Sequence, residues 1–175
     1  QRSVFIEGRD PEKEGAVLTL VNTVDLEYFA TAGIVVTRGR DFSEADREGA
    51  VRVAIINDTM ARRHWPTEDP IGKRFRFYTD RFYREVVGVV RTAKYTTLGE
   101  TPRSCAYIPL RQNFADAGVL YVRSEGDPAA ILSTVQRELR QLDPAVPINP
   151  VFTVEQVIDQ SLWAAVSRSL GCAGP

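Results

Sequence analysis

The sequence predicts a mixed α+β protein in two parts, and three observations carry that prediction. Residues 1–115 hold short apolar or alternating runs separated by turn residues, the pattern of a small-strand subdomain. Residues 116–170 follow the order strand, helix, strand, helix, with the helices marked by apolar residues at helical spacing. A polar, small-residue stretch from Asn113 to Gly118 separates the two, and residues 171–175 form a Gly-rich tail.

Taken in order, Ser3 to Glu7 and Val17 to Val24 read as strands around a polar turn at Asp10 to Gly15. Leu26 to Ala32 is a short helix that Gly33 stops, and Ile34 to Thr37 is a strand. Asp41 to Gly49 is polar, with room for one helical turn at Glu44 to Arg47. The densest grammar runs from Ala54 to Val90. Ala54-Ile55-Ile56 suits a buried strand, Asn57 can cap a helix over Thr59 to Trp65, and Pro66 cannot continue it. Asp69-Pro70-Ile71-Gly72-Lys73 is turn chemistry, because Pro fixes φ and Gly permits a positive one. Arg74-Phe75-Arg76-Phe77-Tyr78 alternates as a half-buried strand does, and Glu85 to Val90 is a more fully buried one. Cys105 to Ile108 and Val119 to Arg123 are further strands. Asp127 and Pro128 then open a helix with the stripe Ile131, Leu132, Val135, Leu139 and Leu142. Ile148 to Phe152 is a strand, and Thr153 with Gln156 forms a capping box for a last helix. A strand–helix–strand unit of this length favours parallel pairing with a right-handed crossover.

Composition excludes several classes. A chain of 175 residues can bury a real core. Its apolar share of 43% and charged share of 26% are those of ordinary globular proteins. A net charge of −1 gives no global field for nucleic acid or an anionic membrane. No run reaches the ~20 apolar residues of a membrane span, and no signal peptide opens the chain.

No residue pattern marks an active site. His64 is the one histidine, and no His or Cys pair has zinc-ligand spacing. Gly72-Lys73 lacks the rest of a phosphate loop, since Thr67 and Arg74 stand where Gly and Ser or Thr are needed. Asp41/Asp46, Glu68/Asp69 and Asp80/Glu85 are unremarkable among 23 acids, and the serines lack a base partner. Cys105 reads as a small buried apolar residue. A disulfide to Cys172 is disfavoured, and neither thiol has the setting of a nucleophile. The expectation is no catalytic residue, no cofactor and no metal. The aromatic group Trp65, Phe75, Phe77, Tyr78, Phe82 and Tyr83 is the candidate contact surface for a protein or ligand. The interleaved Arg74, Arg76, Arg81 and Arg84 also fit single-strand stacking, against which the near-neutral charge argues.

The phrase ARRHWPTEDPIGKRF (Ala61–Phe75), followed by EVVGVV (Glu85–Val90), resembles the periplasmic core domain of MacB-like, or FtsX-like, ABC transporter permeases. Phe5-Ile6-Glu7-Gly8-Arg9, Tyr28 to Ile34, Arg38 to Phe42, Gly126-Asp127-Pro128 and Leu142-Asp143-Pro144 follow in the family's order, so that the resemblance covers residues 4–168. Two departures stand out. Asp25-Leu26-Glu27 replaces the family's usual Ser-Pro-Gly, and residues 171–175 do not resemble its membrane-entering helix. The resemblance implies an excised, N-terminally truncated domain: the mixed subdomain plus the second half of a porter-like βαβ unit, which leads toward the membrane. It implies an extracytoplasmic domain of an inner-membrane permease subunit with no catalysis of its own. That domain would couple cytoplasmic ATP hydrolysis to export, lipoprotein release or signalling. The implied partners are the parent membrane helices, an ABC ATPase acting through the membrane, a second permease protomer and a periplasmic protein, with no nucleic acid. The alternatives are a free-standing extracytoplasmic ligand- or peptide-binding module and, behind it, a hydrolase.

Overall fold

The computed structural model describes residues 1–10, 17–93, 101–115, 117–145, 147–148 and 152–157. The chain divides into two compact units, one of residues 1–93 with 101–121 and one of residues 94–100 with 122–175.

The first unit is built on seven strands. These are β1 (Arg2–Ile6), β2 (Val17–Val24), β3 (Val36–Gly39), β4 (Val53–Asn57), β5 (Arg74–Phe77), β6 (Arg84–Val90) and β7 (Cys105–Pro109). They pair in the order β3-β6-β4-β7-β2-β1-β5, and β5 also pairs with β6. That last ladder closes six of the strands into a ring, with β3 laid beside β6 outside it. Closure removes the open edges that a sheet otherwise exposes. β6 carries both partners on one side by dividing its length. Glu85 and Arg84 pair with Arg74 and Phe75 of β5, and Gly88 to Val90 pair with β3. The β2–β7 and β4–β6 ladders are parallel and the others antiparallel.

Side-chain alternation sorts the apolar residues into two layers. One layer joins Val4, Ile6, Ala54, Ile56, Phe75, Phe77, Val86, Val89, Ala106 and Ile108. The residues of β1, β4, β5 and β7 in it are separated by two positions, so this is one face of each strand. The other layer joins Val24, Val53, Ile55, Val87, Val90, Cys105 and Tyr107 with Phe29 and Phe42. In β6 the spacing slips, because Ala54 pairs with Val86 but Ile55 pairs with Gly88. Val87 is the extra residue of a bulge, and the bulge lets Val86 and Val89 share a layer. Strands β4 and β7 are therefore buried on both faces, which is why they read as unbroken apolar runs. Each fully buried side chain of this kind contributes roughly 1.5–3 kcal/mol.

Two short helices cover the layers. Helix α1 (Tyr28–Ala32) inserts Phe29, whose ring meets Tyr107 edge-on at 4.9 Å. It ends at Gly33, as its sequence predicts, with φ of 69°. Helix α2 (Asp58–His64) starts from Asn57, whose side chain accepts from the Met60 amide at 2.9 Å. It lies where β4 stops and adds Met60, Ala61 and the following Trp65 to the first layer. The Asp69–Lys73 turn forms as expected: Gly72 takes φ of 78°, and the Lys73 amide donates to the Pro70 carbonyl at 3.1 Å. A 3₁₀ turn at Leu110–Gln112 follows β7.

In the second unit, helix α3 (Pro128–Leu142) is present where the periodicity places it. Thr153 and Gln156 exchange the two hydrogen bonds of a capping box, at 2.9 and 3.2 Å. Residues 119–123 differ from expectation: they have strand composition but form no ladder among the described residues, and Val119, Leu120, Tyr121 and Val122 are exposed. A strand exists only against a partner, and composition does not supply one. The expected partner, Ile148 to Phe152, falls largely outside the described residues, as do most of the last helix, the 171–175 tail and Cys172.

Candidate interaction surface

The six aromatic residues singled out by sequence do not form one surface. The structure buries Trp65, Phe75 and Phe77 in the core, and leaves Tyr78, Phe82 and Tyr83 at 70%, 38% and 37% exposure. The correction follows from alternation. In β5, Phe75 and Phe77 share the inward face with Val4 and Ile6 of β1, so only residues at and beyond the end of the strand reach solvent. Trp65 is at 4% exposure because α2 turns it onto the same layer.

The exposed three lie at the end of the ring where β5 stops and β6 begins, and arginines are interleaved with them. Arg84 is the largest fully buried side chain there, at 1% exposure. Its guanidinium lies over the Phe77 ring at 5.0 Å and over the Phe82 ring at 4.6 Å. It forms an ion pair with Asp80 and donates to Asn113 Oδ1 at 3.2 Å, while its Nε meets no acceptor. Arg52 lies over the Phe82 ring at 4.9 Å, and Arg2 over the Phe77 ring at 5.3 Å. Arg2, Arg84 and Arg52 are thus linked through the shared rings of Phe77 and Phe82 into one cluster of cations and aromatic rings. Burial pulls the Arg84 pKa down, Asp80 opposes that, and repulsion from Arg52 and Arg2 adds to it.

The backbone explains the convergence. Arg2 shares its strand face with Val4 and Ile6, Arg52 with Ala54 and Ile56, and Arg84 with Val86, all of which point into the ring. Each arginine stands at the first inward position of its strand or just before it, where strands of these directions begin at the same end. Gln112 holds this end in place. Its Oε1 accepts from the Val53 amide at 3.1 Å, its Nε2 donates to the Val51 carbonyl at 2.8 Å, and its carbonyl accepts from Arg52. Arg2, Arg52, Gln112 and Asn113 escaped the sequence reading; the signal was their spacing from buried residues, legible once the strand pairing is known.

The remaining candidates resolve into structural roles. His64 is buried beside Trp65, and its carbonyl accepts from Arg9. Cys105 is buried, and burial pushes its thiol up to about 11, far from a thiolate at neutral pH. Asp46 is held by Arg40 at 2.7 and 2.8 Å and by the Ser43 amide at 2.8 Å, and the Arg40 guanidinium keeps its carboxyl below the usual carboxylate range. Glu68 pairs with Lys73, and Glu7 with Arg74. These two pairs and Arg9, which donates to the His64 carbonyl, line a depression of about 320 Å³ beside Ile6, Gly8 and Trp65, and both of its acids are already paired. Among the described residues there is no group of His, Cys, Asp and Glu able to hold a metal ion, and no helix long and apolar enough to cross a membrane.

Comparison with known proteins places this architecture. No curated protein sequence matches the chain. Among solved structures, the chain is similar to the periplasmic region of MacB from Actinobacillus actinomycetemcomitans, at 15% identity and a TM-score of 0.57, over 81% of this chain and 62% of that one. The chain thus spans less than two thirds of that region. It is also similar to the extracellular domain of the noncanonical ABC-type transporter YknZ from Gram-positive bacteria, at 21% identity and a TM-score of 0.53, over 82% of this chain and 71% of that one. A domain of a permease protein from Porphyromonas gingivalis matches at 13% identity and a TM-score of 0.51, over 87% of this chain and 74% of that one. The sequence profile described as MacB-like periplasmic core domain matches residues 2–142. The chain belongs to the MacB-like periplasmic core domain family, the extracytoplasmic domain of ABC transporter permeases.

Proposed function

We propose that this domain relays motion in a permease subunit. ATP hydrolysis by a cytoplasmic ATPase would move the membrane helices, and this domain would transmit the displacement to cargo or to a protein partner outside the membrane. The family match over residues 2–142 carries the reading. The structure adds a physical reason: the first unit has its own ring-closed core, so it can transmit force as a body without losing its packing.

Relay also requires a hinge. The chain passes between the two units at three places, after Ala93, after Glu100 and after Tyr121. The third lies just beyond the polar stretch Asn113 to Gly118. We infer that flexing is concentrated at the third crossing, and that residues 116–170 act as a porter-like segment leading toward the membrane. Export, lipoprotein release and signalling are three outputs of the same relay. The free-standing ligand-binding alternative gains little support from the 320 Å³ depression, whose two acids are taken by Lys73 and Arg74.

The test has two parts. The isolated 175-residue chain should show no ATP turnover. In the reconstituted parent permease with its ATPase, deleting this domain should leave basal ATP turnover and abolish the transport or signalling output. Turnover by the isolated chain, or an unchanged output after deletion, would sink the relay.

A further inference from the structure

The stack at the mouth of the ring holds an imbalance of charge that the fold itself does not require. Three guanidinia, those of Arg2, Arg52 and Arg84, gather around two rings, and among the described residues Asp80 is the one carboxylate paired with any of them. Asp80 is taken by Arg84. Among the described residues neither Arg2 nor Arg52 has an acidic partner; Arg52 donates to the Gln112 carbonyl, and Arg2 lies over the Phe77 ring. Arg76 and Arg81 extend the same sign. Arg76 lies over the Phe5 ring at 5.0 Å and donates to the Asp80 carbonyl at 3.3 Å, and Arg81 is exposed. The whole chain carries −1, so this face is locally opposite in sign to the molecule.

We propose that this mouth is a docking site for an acidic segment of a partner protein, whose carboxylates pair with Arg2 and Arg52 while its chain lies against Phe82 and Tyr83. A guanidinium held over a ring can keep N–H groups free at its edge, and a carboxylate can take two of them in bidentate fashion. The stacking has already ordered the arginine side chains, so less freedom is lost on binding. Arginine beside half-exposed aromatic residues is also the composition of interface centres. Nucleic acid fits less well: a base needs a free ring face, and the Phe82 ring is already engaged by two guanidinia, those of Arg52 at 4.9 Å and Arg84 at 4.6 Å. A lipid surface fits less well too, because Phe82 and Tyr83 are more than half buried and offer little apolar area to insert.

The site is independent of the relay proposed above, and its binding is read on the isolated chain. The probe is fluorescein-labelled octaglutamate, followed by anisotropy at about 20 mM salt, where surface charge is weakly screened. Binding should appear, and Arg2→Gln and Arg52→Gln should each weaken it by at least about threefold, the scale of one lost exposed charge contact. Arg62→Gln and Arg63→Gln, exposed on α2 where β4 ends rather than begins, should leave it unchanged. Should Arg52→Gln unfold, through loss of its bond to Gln112, Arg2→Gln decides. Absence of binding, or equal weakening by all four substitutions, overturns the site. So does preferential capture of phosphatidylglycerol vesicles or single-stranded DNA through Arg2 and Arg52.

Discussion

Glu27 is the one non-glycine with a positive φ among the described residues, at 62°. It stands before α1, where the family's Ser-Pro-Gly would place a glycine, and its side chain makes no cap bond. Its carbonyl accepts from the Thr31 amide at 2.9 Å, so the turn is required to start the helix that seats Phe29. A side chain in the left-handed region costs roughly 1–2 kcal/mol, and glycine returns part of that as greater freedom when unfolded. Glu27→Gly should therefore stabilise the chain by up to about 1 kcal/mol, seen as a higher urea midpoint with unchanged slope. Glu27→Ala, which keeps the Cβ and the strain, should change little. A lower midpoint for Glu27→Gly would show that the Glu27 side chain holds the turn in a way its exposure conceals. Asn57 shows the opposite case, a residue whose local role was legible and whose tertiary role was not. Its sequence position predicts the cap on Met60; nothing local predicts that Oδ1 also accepts from the Cys105 amide at 3.0 Å and Nδ2 donates to the Arg103 carbonyl at 2.8 Å.

At the scale of elements, the β3–β6 contact depends on two glycines facing each other. Gly39 pairs with Gly88, and a Cβ on Gly88 would lie 2.3 Å from the Arg40 carbonyl oxygen. On Gly39 it would lie 2.2 Å from the Val87 oxygen, at a φ of 69°. The strands approach this closely because the bulge at Val87 turns β6 toward β3. Gly88→Ala should cost about 2–3 kcal/mol, as overpacking of a close backbone contact does. Hydrogen exchange should show where: the Arg40 and Arg91 amides, bonded to the Val87 and Val35 carbonyls, should lose protection first. Gly126→Ala, which meets nothing within 4 Å, is the control. If the β4 and β7 amides lose protection together with β3, then β3 is part of the cooperative ring rather than a strand laid beside it. Elements with strong local signals were readable in advance: β4, β6 and β7 from unbroken apolar runs, α2 from its cap and the proline after it, α3 from its stripe. Residues 119–123 carried an equal strand signal and form no ladder among the described residues; pairing is decided by what lies alongside and not by composition.

For the whole molecule, ring closure is the feature the sequence hid most completely. β1 and β5 pair through Val4 and Phe77, Phe5 and Arg76, Ile6 and Phe75, across some seventy positions of chain, and no local pattern encodes such a pairing. The arginine mouth was hidden with it, since Arg2, Arg52 and Arg84 converge only once β1, β4 and β6 are known to start at one end of a closed ring. The same closure predicts how the chain tolerates shortening. Every buried apolar residue of the two core layers lies between Val4 and Ile108. A chain ending at Ser124 keeps both layers, and its melting temperature should stay within about 4 °C of the full chain, under ~1 kcal/mol at this size. Removing residues 1–9 takes far fewer residues yet opens the ring. β2 and β5 then each gain a free edge, and Phe75 and Phe77 lose Val4 and Ile6 as neighbours. Exposed edges and uncovered aromatic residues favour association between chains, so this shorter deletion should broaden or abolish the melt and produce aggregates in size-exclusion chromatography. A sharp, monomeric transition after loss of β1 would mean that the β5–β6 and β2–β7 ladders hold the core without closure.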